Sequence, residues 1–464
     1  MLPSQSTKYK ATSMFRYDVT GHFAYLPVLN IPCHVHQNIH NYFQGLCINL
    51  IRHLLSRIKY IYHGLLTINF DMFLLRLCRS LRPSTQCYRY ATALAQEKNE
   101  LNQAVTEAEK IVGYPTSFLN LRWILTDELA NVALHLRKLI GINHPFLETA
   151  RKLFFGNNMP AWGLIVLLVS KAYGLNVEFS EHDRDITAGV LHSQRALAEV
   201  TEMIRTSAMI HKNIANIAVD EKNNLLELSF GNKIALLSGD HLLSKSFHEL
   251  ACLRAPHLNE LMSSALRDLA EAEFLGLHDS YDVPLPSKPI DTETIEIVDD
   301  FGTKPYHTSD ILGNPVAEWT LRNILGGASL LGKSCQGSLM LAKHSEEVQH
   351  SGFILGKCIA LAWQAKIEQE VFVPGSSGSF SLVSAPVMLH LKYNPTLYDK
   401  IEVGRHNALS IDYEEIRKDI QNGNALQDTQ CLQQHFSIAA LNVLYNLPKS
   451  DARVALENII KTLL

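Results

Sequence analysis

The stretch SQRALAEVTEMIRTSAMIHKNIAN, from Ser193 to Asn216, is the part of the chain whose reading decides the fold. Leu197, Val200, Ile204 and Ala208 recur every three or four positions, the spacing of one buried helical face. A polar cluster follows: His211, Lys212, Asn213 and Asn216. Lys212 and Asn216 are four apart, so their side chains project from one face into the same space. A helical bundle can place a ligand or metal site at such a point.

Outward from this helix the pattern stays helical. Segments 97–112, 115–140, 145–155 and 162–174 carry apolar residues at helical spacing, punctuated by Gly113-Tyr114-Pro115, Gly141 with His144-Pro145, and Gly156-Asn157-Asn158. Alternation with the period of a strand is nearly absent. The prediction is an all-α domain of about a dozen helices over 96–464, with Gly163 to Val169 as a core segment. With 464 residues, 47% of them hydrophobic and 19% charged, the chain can bury a large core. Its net charge of -4 leaves no electrostatic footprint for nucleic acid. No uncharged apolar run is long enough to span a membrane. The eight cysteines are scattered and never form Cys-x-x-Cys, which fits reduced, mostly buried thiols.

Residues 1–95 read as a basic extension. Up to Gln96 the acids are Asp18 and Asp71, against ten lysines and arginines. From Met72, MFLLRLCRSLRPSTQCYRYATA is amphipathic, Arg-rich and free of acids, the composition of a mitochondrial transit segment. On that reading Met72 is the start and 1–71 lie upstream of it. Cys33, His34, His36 and His40 form a cluster without the second ligand pair that structural zinc needs, and are read as chance.

The central helix resembles the one that ends in Asp-Asp-x-x-Asp in trans-prenyl diphosphate synthases. Ala198-Glu199, Met203-Ile204, Ser207-Ala208 and His211 stand in register with that family's AE-x-x-x-MIHTASL-x-HDDVID. Further stretches follow in order. WGLIVLLVSKAYG (162–174) is similar to RPLLVLLAAKA, and Gly231-Asn232-Lys233 through Leu243 to GNK-x-AVLAGDFLLA. LAEAEFLGL (269–277), Gly326 to Leu331 and GFILGKCIALAWQAKIEQEV (352–371) have counterparts too, as does AALNVLYNLPKSDARVALENII at 439–460. The resemblance implies an isoprenoid-synthase helical bundle. Gly239-Asp240 would allow a tight helix approach and cap a helix; 278–316 is a proline-rich, irregular insertion, and 317–343 a helix.

In that family, aspartates bind Mg²⁺ and Mg²⁺ holds an allylic diphosphate. Here the first aspartate positions are Lys212, Asn213 and Asn216, and the second fall on Ile367, Glu368 and Val371. Gly326 and Gly327 replace a Lys-Thr pair and suggest close helix packing. The Gly-Gly-Lys-x-x-Arg element corresponds to Asn157 through Trp162. A lysine repels a hard cation that prefers charged oxygens, and the amides offer only neutral ones. The expectation is therefore no catalytic residue, no retained substrate ligand and no metal in this chain. The resemblance implies a non-catalytic subunit of a heteromeric all-trans-polyprenyl diphosphate synthase making the ubiquinone side chain. Its catalytic partner would carry the Mg²⁺, in a mitochondrial-matrix heterotetramer with at most peripheral inner-membrane association. The rivals are a stand-alone prenyltransferase with degenerate motifs and a lipid-binding or scaffold protein of ubiquinone biosynthesis.

Overall fold

A computed structural model describes residues 100–113, 161–176, 186–187, 189–214, 225–290, 307–373, 376, 378–405 and 410–464. The chain divides into Met1–Arg82 and Pro83–Leu464, and everything described lies in the second unit. The transit-like segment, the Cys33–His40 cluster, the helices expected at 115–140 and 145–155, and Asn216 lie outside the described residues.

The described part is all-α, with two short antiparallel ladders. Helix α1 (100–112) is followed by α2 (Trp162–Tyr173), α3 (His192–His211), α4 (Leu225–Cys252) and α5 (Pro256–Ala272). After the one-turn α6 (Thr308–Ile311) comes α7 (Pro315–Asn323), then a π-helical turn (Ile324–Ala328) leading into α8 (Ser329–Leu341). Helices α9 (Glu346–Glu370), α10 (Ala385–Tyr393) and α11 (Thr396–Val403) follow, then α12 (Tyr413–Asn422), α13 (Ala425–Tyr445) and α14 (Asp451–Lys461). The ladders pair Ile186–Thr187 with Val190–Leu191 and Leu277–His278 with Pro284–Leu285.

Local chemistry sets several helix starts. Asn314 Oδ1 accepts from the Ala317 N–H at 3.2 Å with Pro315 at the first helical position, and Ser450 Oγ accepts from Arg453 N–H at 3.2 Å. Asp412 Oδ1 accepts from both Glu414 and Glu415 N–H at 3.0 Å. Helix α2 is buried from Gly163 to Ser170, as its unbroken apolar run requires. It threads the main core among α8, α9, α13 and α14, where Trp319, Phe372 and Phe436 are fully buried. A second apolar cluster lies beneath α3, α4 and α5 and includes Leu197, Ile204, Leu242 and Met262.

Three expectations are corrected. The helix expected over 317–343 starts at Pro315 and opens into a π turn at the two glycines, where a missing Cβ removes both helix propensity and bulk. The described ends of the 278–316 segment are built rather than irregular. Arg322 donates to Leu275 O at 2.8 Å, Leu285 O at 3.1 Å and Glu318 Oε1 at 2.8 Å. Glu318 also accepts from Gly313 N–H at 3.0 Å, so one buried ion pair pins the hairpin to α7. Gly276, at φ +77°, lets the chain turn beside that guanidinium. Asp240 lies inside α4 and caps nothing; it pairs with His211 at 3.3 Å. The four cysteines in the described residues form no disulfide; Cys335 and Cys358 are buried and Cys252 and Cys431 exposed, while the other four of the eight lie outside the described residues.

Candidate functional site

The C-terminal end of α3 meets α5, the π turn and α9 around a cavity of about 240 Å³. Much of its wall is apolar: Ala208, Met209, Leu269, Leu330, Ala360 and Ile367. Several positions singled out in the sequence converge here although they are far apart in the chain: Trp162, Lys212, Gly326, Gly327 and Ile367. Among the residues lining it, Arg205 and Lys212 are cationic and none is a carboxylate.

Lys212 caps α3, where the partial negative charge of the helix end favours a cation. Its ammonium lies 3.0 Å from Glu273 Oε1, just beyond α5, and both side chains are about half exposed. Asn213, just past the end of α3, is not a lining residue, and its amide donates to Met209 O of that helix. A Cβ on Gly326 would lie 3.9 Å from the Lys212 ammonium, so this glycine faces the cavity instead of packing tightly against a helix. Gly327 does pack closely, since its Cβ would come within 3.0 Å of the Trp162 ring.

Glu368, the acid left in register, is not a lining residue. It accepts from the Trp319 indole N–H at 2.8 Å, the Gln364 amide at 2.7 Å and the Ala385 N–H at 2.7 Å. The carboxylate thereby satisfies a donor at the start of α10. Burial pushes its pKa above the ordinary carboxylate value, and these hydrogen bonds oppose the rise. Val371 packs against the main core and its carbonyl accepts from Arg417 at 2.6 Å.

Arg205 was missed in reading the sequence. Its guanidinium stacks 4.6 Å from the Trp162 ring centroid and lies 3.7 Å from Glu202 Oε2. Burial lowers its pKa, and Glu202 acts against that shift. Glu202 in turn accepts from the Gly163 N–H at 2.9 Å and satisfies the start of α2. The signal was available: Arg205, Ala208 and Lys212 stand at i, i+3 and i+7, one face of the helix.

These donors do not fit Mg²⁺. That cation needs charged oxygens in octahedral array, whereas an ammonium stands at the cavity mouth and the nearby acids are engaged with Lys212, Trp319 and backbone amides. Among the described residues no three His, Cys, Asp or Glu side chains gather as a metal would require. The arrangement suits an apolar body with limited negative charge.

No family model matches the chain. Among curated proteins it is similar to the all-trans-polyprenyl-diphosphate synthase PDSS2 of Mus musculus, 38% identical over 368 residues, 77% of this chain and 86% of the relative. A probable mitochondrial hexaprenyl pyrophosphate synthase of Neurospora crassa is 27% identical, covering 81% of this chain and 88% of the relative. Decaprenyl-diphosphate synthase subunit 1 of Schizosaccharomyces pombe is 26% identical, covering 75% and 91%. The crystal structure of heptaprenyl diphosphate synthase from Staphylococcus aureus is similar at a TM-score of 0.48 and 15% identity, covering 79% of this chain and 97% of that one.

Proposed function

The chain belongs to the all-trans-polyprenyl-diphosphate synthase family, and on that premise we propose that it is a non-catalytic subunit of a heteromeric polyprenyl diphosphate synthase. The observation that carries this reading is the charge at the cavity mouth: Lys212, held by Glu273 at 3.0 Å, occupies the position where the family resemblance calls for the first metal-binding aspartate. A cation there opposes Mg²⁺, and the diphosphate of an allylic substrate loses its anchor. Glu368 does not compensate, because its carboxylate is committed to Trp319 and α10.

In this reading a partner subunit carries the intact aspartates and the Mg²⁺, and adds isopentenyl units to a growing trans-polyprenyl chain for ubiquinone. The subunit designation in the name of the fission-yeast relative supports a heteromeric assembly, in our reading a heterotetramer. The mitochondrial designation of the Neurospora relative supports a mitochondrial location. Among the described residues no helix is long and apolar enough to cross a membrane. Exposed Leu236 and Phe247 on α4 supply an apolar face for the partner.

The test is elongation of farnesyl diphosphate with isopentenyl diphosphate and Mg²⁺. The purified chain alone is expected to give no product above background. Co-expression with a catalytic subunit is expected to give long-chain product. Robust elongation by this chain alone overturns the proposal.

A further inference from the structure

The cavity beside Lys212 retains the form of a small-molecule site although its charges do not suit a metal-bound diphosphate. We infer that it binds, without metal, a short apolar chain bearing a single anionic head, the head at Lys212 and the tail against Ala208, Leu330 and Ala360. This inference rests on the silent-subunit reading only in treating the cavity as free of metal chemistry.

Three observations lead there. The first is size: about 240 Å³, at roughly 30 Å³ per water-sized group, holds about eight carbons of a tail whose head stands at the half-exposed Lys212. The second is composition, with much of the wall apolar and Arg205, Lys212, Asn323 and Gln364 among the lining, the usual form of a small-ligand site. The third is the distribution of charge. Arg205 is already committed to Glu202 and the Trp162 ring, so it lends positive potential without being released. Lys212 is held by Glu273 in a pair whose side chains are 45% and 54% exposed. Such a pair contributes little stability and exchanges readily, so a ligand carboxylate or phosphate can take the place of Glu273. A diphosphate carries more charge than one lysine offsets, and without a metal it would remain under-neutralised beside apolar walls.

The chemistry is shared by an isoprenoid monophosphate and a medium-chain fatty acid. The experiment is equilibrium dialysis of the full chain in EDTA against labelled geranyl phosphate, with decanoate and geraniol in parallel arms. Saturable binding of one geranyl phosphate per chain is expected, with geraniol weaker. Tighter binding of geranyl phosphate than of decanoate identifies an isoprenoid source, and the reverse a fatty-acid source. Lys212→Gln should weaken both anions by up to about fivefold and leave geraniol unchanged. Ala208→Trp should abolish all three by filling the cavity, with Ala360→Leu as a second filling variant and circular dichroism confirming the fold of each. Absence of saturable binding by the folded chain in EDTA overturns the inference, as does binding indifferent to both Lys212→Gln and cavity filling. Neither result touches the silent-subunit reading. Tight binding of geranyl diphosphate that requires Mg²⁺, accompanied by elongation, overturns both.

Discussion

Glu368 has three hydrogen-bond donors and a raised pKa, and the two facts set how its replacement behaves. Desolvation favours the protonated form in the folded state, so the contribution of this group to stability is largest below its ordinary value of 4.5 and declines as pH rises through its folded pKa. Glu368→Gln keeps an acceptor and removes the charge. Its unfolding free energy is expected within about 1 kcal/mol of the native chain at pH 7, with that decline absent. Glu368→Ala orphans the Trp319 and Ala385 N–H groups and should cost about 1–3 kcal/mol at the same pH. Urea unfolding at pH 4.5 and pH 7.5 measures both. The identity of Glu368 was legible in the sequence, but its role was not. Trp319 and Ala385 lie 49 and 17 residues away, and no local spacing announces such partners. Arg205 and Lys212 show the converse case, since helical spacing alone places them on one face.

At the scale of elements, glycines separate contacts that can yield from contacts that cannot. A Cβ on Gly356 of α9 would lie 2.8 Å from Leu331 O and 3.0 Å from Gly332 Cα, against the backbone of α8. For a Cβ on Gly239 of α4 the nearest atoms all belong to the His211 ring, the first at 2.2 Å. That ring is partly exposed and can swing away, giving up its 3.3 Å contact with Asp240. Alanine gains about 1 kcal/mol of helix propensity at either position. Gly356→Ala is therefore expected to destabilise by about 1–3 kcal/mol despite that gain, and Gly239→Ala to stay within about 1 kcal/mol of neutral. Thermal unfolding of the two variants side by side checks the contrast. Apolar spacing in the sequence located α2 and α3, whereas the stretches that hold α9 and α14 were placed through the family resemblance. It missed the π turn at Ile324–Ala328, which depends on how Gly327 meets Trp162 from another helix.

For the whole molecule, the question is what covers the outer face of α4. Leu236 and Phe247 are eleven residues apart, three helical turns, and stand exposed on one face. If that face holds the catalytic partner, Leu236→Glu with Phe247→Glu should abolish co-purification and the activity of the co-expressed pair, while the chain's own thermal unfolding barely moves. Loss of folding together with loss of association would instead mark these residues as structural. The all-α architecture and the position of the cavity were legible from the sequence, because packing positions repeat with helical period and the helix ends carry polar clusters. The exposed apolar face of α4 was not, since an exposed leucine on a long helix reads like any other apolar position until its neighbours are known.

The carboxylate at Glu368 also bears on what it would take to build a magnesium clamp in this cavity. A redesign that placed acids at Lys212 and Asn213 would first set Lys212→Asp against Glu273, two like charges where an attraction now stands. It would still lack the opposing half of a magnesium clamp, because freeing Glu368 means stripping support from the start of α10. The residue that stands in register with a metal ligand is thus held in place as a support for the start of α10.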